Sequence, residues 1–97
     1  MLTGKQRSYL KGLANKMDPL FQIGKNGISE NFIKQMDEAL ETKELIKVNI
    51  LQNSAEDAKE AAFLIAEKIG AEYVQSIGGR FVLYRESEDN KKIELPK

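Results

Sequence analysis

The sequence predicts an α/β domain: three helices and four strands in the order α-β-α-β-α-β-β, with helices packed on a mixed four-stranded sheet. Three features point there. Apolar residues recur at helical spacing in three stretches, short apolar or alternating runs fall between them, and Gly78-Gly79 joins the last two runs. The helical connections make two βαβ crossovers, which are right-handed almost without exception. The first three strands are therefore expected to run parallel, with the closing hairpin adding an antiparallel fourth.

The first helix opens on Thr3-Gly4-Lys5-Gln6, a capping box in which the Thr hydroxyl accepts from a helix N–H and Gln6 reaches back. Leu2, Gln6, Leu10, Leu13 and Met17 form its inner stripe, with Tyr9 at the edge. Arg7 and Lys11 border that stripe on one side, Lys5 and Lys16 on the other. The opposite face holds Gly4, Ser8, Gly12 and Asn15, small enough for a backbone to lie across. Asp18-Pro19 ends the helix, because a residue before proline is pushed out of the α region. Leu20 to Ile23 is a short strand. Ser29 caps a second helix with Phe32, Ile33, Met36, Ala39 and Leu40 inward and Glu30, Asp37, Glu38 and Glu41 outward.

Leu45 to Ile50 alternates, with Ile46, Val48 and Ile50 facing in and Lys47 and Asn49 facing out. Ser54-Ala55-Glu56-Asp57 starts the third helix, whose stripe of Ala58, Ala61, Ala62, Ile65 and Ile69 is small enough to sit close to a sheet. Gly70 closes it. Tyr73–Ile77 and Arg80–Arg85 form a hairpin about a two-residue turn. Beyond it only Ile93 and Leu95 are apolar, so a core of 2–85 is expected to be followed by a short extension, 86–97, as an edge strand or a loose tail. The whole, 1–97, is one domain.

Composition narrows the function. Without Cys or His there are no disulfides, thiol nucleophiles, imidazole bases or Cys/His metal sites, and no metal or cofactor is expected. No apolar leader or membrane-length apolar run occurs, so a soluble, cytoplasmic protein with no membrane partner is expected. Net charge is zero but unevenly spread: residues 1–27 carry +4, 28–72 carry −5 and 73–97 carry +1. Local potential, more than total charge, steers a ligand.

The most directive segment is Ile23-Gly24-Lys25-Asn26-Gly27-Ile28-Ser29, a strand end, a G-x-x-G loop and a helix cap. In that geometry backbone N–H groups converge on an anion, glycines let a phosphate come close, and Lys25 adds charge. The loop is neither a Walker nor a dinucleotide-binding motif, which argues against nucleoside triphosphate chemistry. Arg80 and Arg85 bracket the final strand, with Phe81 and Tyr84 between them; Phe81 is expected in the core, and Tyr84 is the candidate for stacking on a base. Carboxylates are numerous but lie on exposed helix faces, so no catalytic constellation is expected.

Together, Leu10-Lys11-Gly12-Leu13-Ala14, Ile23–Gly27, Ala39-Leu40-Glu41, Glu44-Leu45-Ile46-Lys47-Val48, Gln75-Ser76-Ile77-Gly78 and Val82-Leu83-Tyr84-Arg85 resemble the CRM domain (chloroplast RNA splicing and ribosome maturation), and most of all its small stand-alone bacterial, YhbY-like members. The resemblance spans residues 2–85 and implies a fold similar to the C-terminal domain of translation initiation factor three. It also implies RNA binding: bacterial members associate with precursors of the large ribosomal subunit, and plant relatives assist group II intron splicing. The family's loop maps onto Gly24, Lys25, Asn26 and Gly27, and its basic surface onto Lys5, Lys11, Arg85 and Lys47. Asn49, where relatives are expected to carry Lys, and Thr42-Lys43, where a His is usual, depart from the pattern.

The expected protein is thus a non-catalytic, monomeric RNA binder acting on ribosomal RNA or pre-large-subunit particles. Its expected RNA-binding residues are Gly24, Lys25, Asn26, Gly27, Lys5, Arg7, Lys11, Lys47, Arg80 and Arg85. The alternative is an adaptor that binds ribosomal proteins through the acidic middle segment.

Overall fold

A mixed sheet of four strands divides the computed structural model, which describes residues 2–97, into two unequal layers. The elements follow the predicted order: α1 (Gly4–Ala14), β1 (Phe21–Ile23), α2 (Glu30–Lys43), β2 (Leu45–Ile50), α3 (Ala58–Ile69), β3 (Glu72–Ile77) and β4 (Arg80–Tyr84). In space the strands run β1-β2-β4-β3. β1 pairs parallel with β2, and β4 pairs antiparallel with both β2 and β3. The first three strands therefore point the same way, as expected, with β4 inserted between β2 and β3. The ends of β1, β2 and β3 and the start of β4 consequently meet at one end of the sheet.

The caps are those the sequence shows at α1 and α2. The Thr3–Gln6 box is complete, and the Ser29 hydroxyl accepts from the Phe32 N–H at 3.0 Å. At α3 the start shifts: Asp57, rather than Ser54, is the cap and accepts from the Glu60 N–H at 3.1 Å. Ser54 instead closes a tight turn by accepting from the Glu56 N–H. After Ala14 the chain tightens, with the Lys16 and Met17 N–H groups donating to the Leu13 and Ala14 carbonyls, and the Lys47 ammonium donates to the carbonyls of Ala14 and Met17, at 3.1 and 3.2 Å.

One face of the sheet packs on α2 and α3 through Ile23, Met36, Leu40, Ile46, Val48, Ala61, Ala62, Ile65, Phe81 and Leu83. The other carries α1 over Leu45, Val74, Val82 and Tyr84. An eleven-residue helix is only about 16 Å long, so α1 covers one end of its face and leaves the other open.

The C-terminal segment corrects the expectation of an edge strand or loose tail. Residues 85–97 form no strand, and the segment is held by two carboxylates of α2 and its cap. Glu44, fully buried, accepts from the backbone N–H groups of Ser87, Lys92 and Ile93 at 2.7, 2.6 and 2.7 Å. Glu41 accepts from the Ser87 hydroxyl at 2.7 Å and from the Glu88 and Asp89 N–H groups. Ile93 and Leu95 then pack against the α1-side core, and Gln6 donates to the Pro96 carbonyl.

Candidate nucleic-acid interface

The G-x-x-G segment is a tight turn closed by the Gly27 N–H donating to the Gly24 carbonyl at 3.1 Å. Gly27 sits at φ +71°, a left-handed conformation that favours glycine. Gly24 lies outside the left-handed region, and a Cβ there would meet only the Leu51 side chain, at 3.7 Å. The two glycines therefore differ in role: Gly27 is needed by the turn itself, whereas Gly24 leaves room that the fold does not use. Gly27→Ala is expected to lower stability by about 1 kcal/mol, and Gly24→Ala to leave the melting temperature unchanged; thermal unfolding of both variants checks this. From the turn the chain enters α2, where Ser29 caps Phe32 and the N–H groups of Glu30 and Asn31 lie outside the cap's own bonds.

Two concavities flank this end of the sheet. The first, about 410 Å³, lies on the α2–α3 side and is lined by Lys25, Asn26 and Gly27 together with Glu30, Glu56 and Lys68. Its two carboxylates oppose an anion, and one Glu56 oxygen is buried with no partner among the described residues.

The second, about 420 Å³, lies on the open sheet face and is lined by Asn15, Lys47, Asn49, Gln75, Arg80 and the Gly78-Gly79 turn, among others. No carboxylate lines it. Strand register explains the set: Gln22, Asn49, Arg80 and Ile77 form one row across β1, β2, β4 and β3, and Lys47, Val82 and Gln75 form the next. The Ile50 N–H donates to the Gly79 carbonyl at 2.6 Å, which ties the hairpin turn to the strand end beside Leu51 and the G-x-x-G turn. Two strand spacings, about 10 Å, separate that turn from β4.

The predicted cations do not all gather here. Lys25 and Arg80 are exposed at the loop end and form no ion pair among the described residues. Lys11 is exposed one turn before Asn15, which lines the groove, on the same side of α1. Lys47 lines the groove, although its ammonium is engaged by the end of α1.

Lys5 lies in the first turn of α1, anchored at the far end of the sheet by the Leu2 N–H donating to Glu72 at 3.2 Å. Arg7 reaches round the edge strand β3 into a depression with Lys59, Phe63 and Tyr73, its Nε buried without a partner among the described residues. Arg85 is the clearest departure from the expected surface. Its guanidinium pairs with the Asp37 carboxylate and donates to the carbonyls of Asp37 and Ile69, at 2.8 and 2.7 Å, so it ties β4 to α2 and α3.

Stacking on Tyr84 does not fit either. Phe81 is fully buried, as expected, and Tyr84 is 5% exposed beneath α1. Burial first, then the charges of Glu44 and Glu86, push its hydroxyl pKa above the usual range. Sequence reasoning gave no part to Gln22 and Gln75 and treated Asn49 only as a departure from a family pattern. The available signal was the cluster of amide side chains on the later strands, visible as a site only once their register is known.

Among the described residues no group of three or more acidic, His or Cys side chains is placed to hold a metal, and no helix is long and apolar enough to cross a membrane.

The sequence matches the model of the CRS1/YhbY (CRM) domain over residues 2–85. It is 50% identical over 96 residues to Probable RNA-binding protein YqeI of Bacillus subtilis, covering 99% of this chain and all of that one. It is 38% identical to an RNA-binding protein of Haemophilus influenzae, covering 99% of this chain and 96% of the relative. The solution structure of SAV1595 from Staphylococcus aureus, a candidate RNA-binding protein, superposes with a TM-score of 0.81 at 58% identity, over 99% of this chain and all of the other. The chain therefore belongs to the CRS1/YhbY (CRM) domain family.

Proposed function

We propose that this protein is a non-catalytic RNA-binding factor that engages ribosomal RNA or precursor particles during assembly of the large ribosomal subunit. One observation carries the reading. The loop end of the sheet combines the G-x-x-G turn, the start of α2 and the exposed cations Lys25 and Arg80, which form no ion pair among the described residues, beside a groove without carboxylates. Gly24 admits a phosphate, the first-turn N–H groups and Lys25 hold it, and Arg80 with Lys11 continues the track. The acid-lined depression turns the strand toward the sheet groove rather than between α2 and α3. Relatives named as RNA-binding proteins support RNA as the ligand, and the ribosomal setting is what the resemblance to the bacterial CRM proteins implies.

The adaptor alternative loses part of its surface. Glu44 is buried, Glu41 is engaged by the C-terminal segment and Asp37, though exposed, is paired with Arg85.

Binding to single-stranded RNA is expected to weaken with salt, with a log–log slope of about −2 to −3.5 for three to five phosphate contacts. A slope near zero in a fluorescence titration would remove the phosphate mechanism. Nuclease treatment before co-sedimentation tests the setting. Loss of association with pre-large-subunit particles is the expected result, and persistence on their protein components would transfer the function to the adaptor.

A further inference from the structure

We infer that the groove on the open sheet face is a base-reading subsite, in which Asn49 and Gln75, with Asn15 at the rim, hydrogen-bond the edge of an unpaired RNA base. The inference rests on the RNA-binding reading and goes beyond backbone capture by the G-x-x-G turn.

The chemistry of the groove argues for it. A phosphate needs donors only, whereas an unpaired base presents donors and acceptors side by side. A carboxamide supplies one of each. Three amide side chains line this concavity, and none of them makes a hydrogen bond to another described residue. Gln22 lies beside Asn49 in the strand register and extends the amide row toward the G-x-x-G turn. The only guanidinium, Arg80, stands in the same row as Asn49, able to hold the flanking phosphate. Lys47 is drawn back by the Ala14 and Met17 carbonyls, which lowers the claim of the floor on a second phosphate.

The backbone is arranged to bring Gln75 into place. β3 carries an irregularity between Tyr73 and Gln75, so Tyr73 pairs with Leu83 and Gln75 with Val82, and Val74 is skipped. Regular alternation would set Gln75 against Phe81 and aim it into the α2–α3 core. The bulge instead turns it to the open face, where Val82 lines the groove. Bulges of this kind commonly re-aim a side chain beside a site. The volume of about 420 Å³ falls within the range of small-ligand sites, about 300–1,000 Å³, and an open rim allows the chain to continue.

The test compares Asn49→Thr/Gln75→Thr with the unaltered protein on short RNA homopolymers and on an abasic ribose-phosphate oligomer of equal length. Threonine is a good strand former, and a melting curve confirms folding. The base-bearing oligomer bound best is expected to lose roughly tenfold in affinity, and the differences among homopolymers to shrink. Affinity for the abasic oligomer and the salt slope are expected to stay as they were. In the unaltered protein, the side-chain NH2 resonances of Asn49 and Gln75 are expected to shift with base-bearing oligomers and not with the abasic one. No loss on any oligomer, or equal loss with and without bases, would overturn base reading and leave RNA binding intact. Failure of the unaltered protein to bind any oligomer would overturn the RNA-binding reading, and base reading with it.

Discussion

Glu44→Ala is expected to free residues 86–97 from the domain and lower stability by about 2–4 kcal/mol. The carboxylate accepts from three backbone N–H groups that lie 43 to 49 residues away in sequence. Removing it leaves those donors without partners unless the segment swings out to water, and that loses the packing of Ile93 and Leu95 on the α1-side core. Glu44 also occupies a left-handed backbone position, φ 66°, as the C-cap of α2. Glu44→Gly relieves that conformation yet removes the same acceptors, so it separates the two effects. Both variants are expected to melt lower than the parent, with fast amide exchange at Ser87, Lys92 and Ile93. A Gly variant as stable as the parent would mean that the carboxylate contributes little.

The same contacts make stability sensitive to acid. Burial raises the Glu44 pKa, but the N–H donors of Ser87, Lys92 and Ile93 together hold it below the ordinary value of 4.5. At Glu41 the Ser87 hydroxyl and then the Asp89 N–H act in the same direction. A carboxyl with a folded pKa below its unfolded value stabilises the fold above the unfolded pKa and loses that contribution as pH falls through the folded one. The C-terminal segment is therefore expected to stay docked at neutral pH and to detach only as the pH falls through the lowered folded pKa values of Glu44 and Glu41, which amide exchange or proteolysis at acid pH can follow.

Replacing Lys25 and Asn26 by Asp is expected to reduce affinity for single-stranded RNA on the order of 100-fold, while leaving the fold intact. The substitution removes a charge-assisted contact and places two carboxylates beside the start of α2, together worth about 3 kcal/mol. Both residues are exposed, and the turn depends on Gly27 and a backbone bond rather than on their side chains. Lys47→Ala is expected to cost much less RNA affinity, because its ammonium already serves the carbonyls of Ala14 and Met17. Filter binding or anisotropy on the two variants ranks them, and an equal loss would place the docking surface on the floor of the groove.

The elements were legible in the sequence because each helix carries a local signal: the Thr3–Gln6 box, the Ser29 cap, and apolar stripes that match the buried side chains Leu10, Met36, Leu40, Ala62 and Ile65. The Gly24–Gly27 turn was legible for the same reason. What stayed hidden depends on contacts far apart in the chain. Charge alone cannot show that Arg85 meets Asp37, nor that the polar extension folds onto Glu41 and Glu44. The Ser54-Ala55-Glu56-Asp57 segment marks the third helix, but the cap falls at its last residue, Asp57, while the Ser54 hydroxyl closes a turn. The amide groove was out of reach for a further reason. It needs β4 inserted between β2 and β3, and it needs a bulge that breaks the alternation by which Gln75 would be assigned to a face.

RNA is expected to dock on the loop end of the sheet. An amide chemical-shift titration of the intact protein with a short single-stranded RNA tests it most directly. Shifts are expected at Gly24–Gly27, at Glu30 and Asn31, and along Gly78–Arg80, while the amides around Lys5, Arg7 and Arg85 stay in place. Shifts concentrated at the Arg85–Asp37 corner or at the start of α1, with the G-x-x-G turn silent, would contradict it.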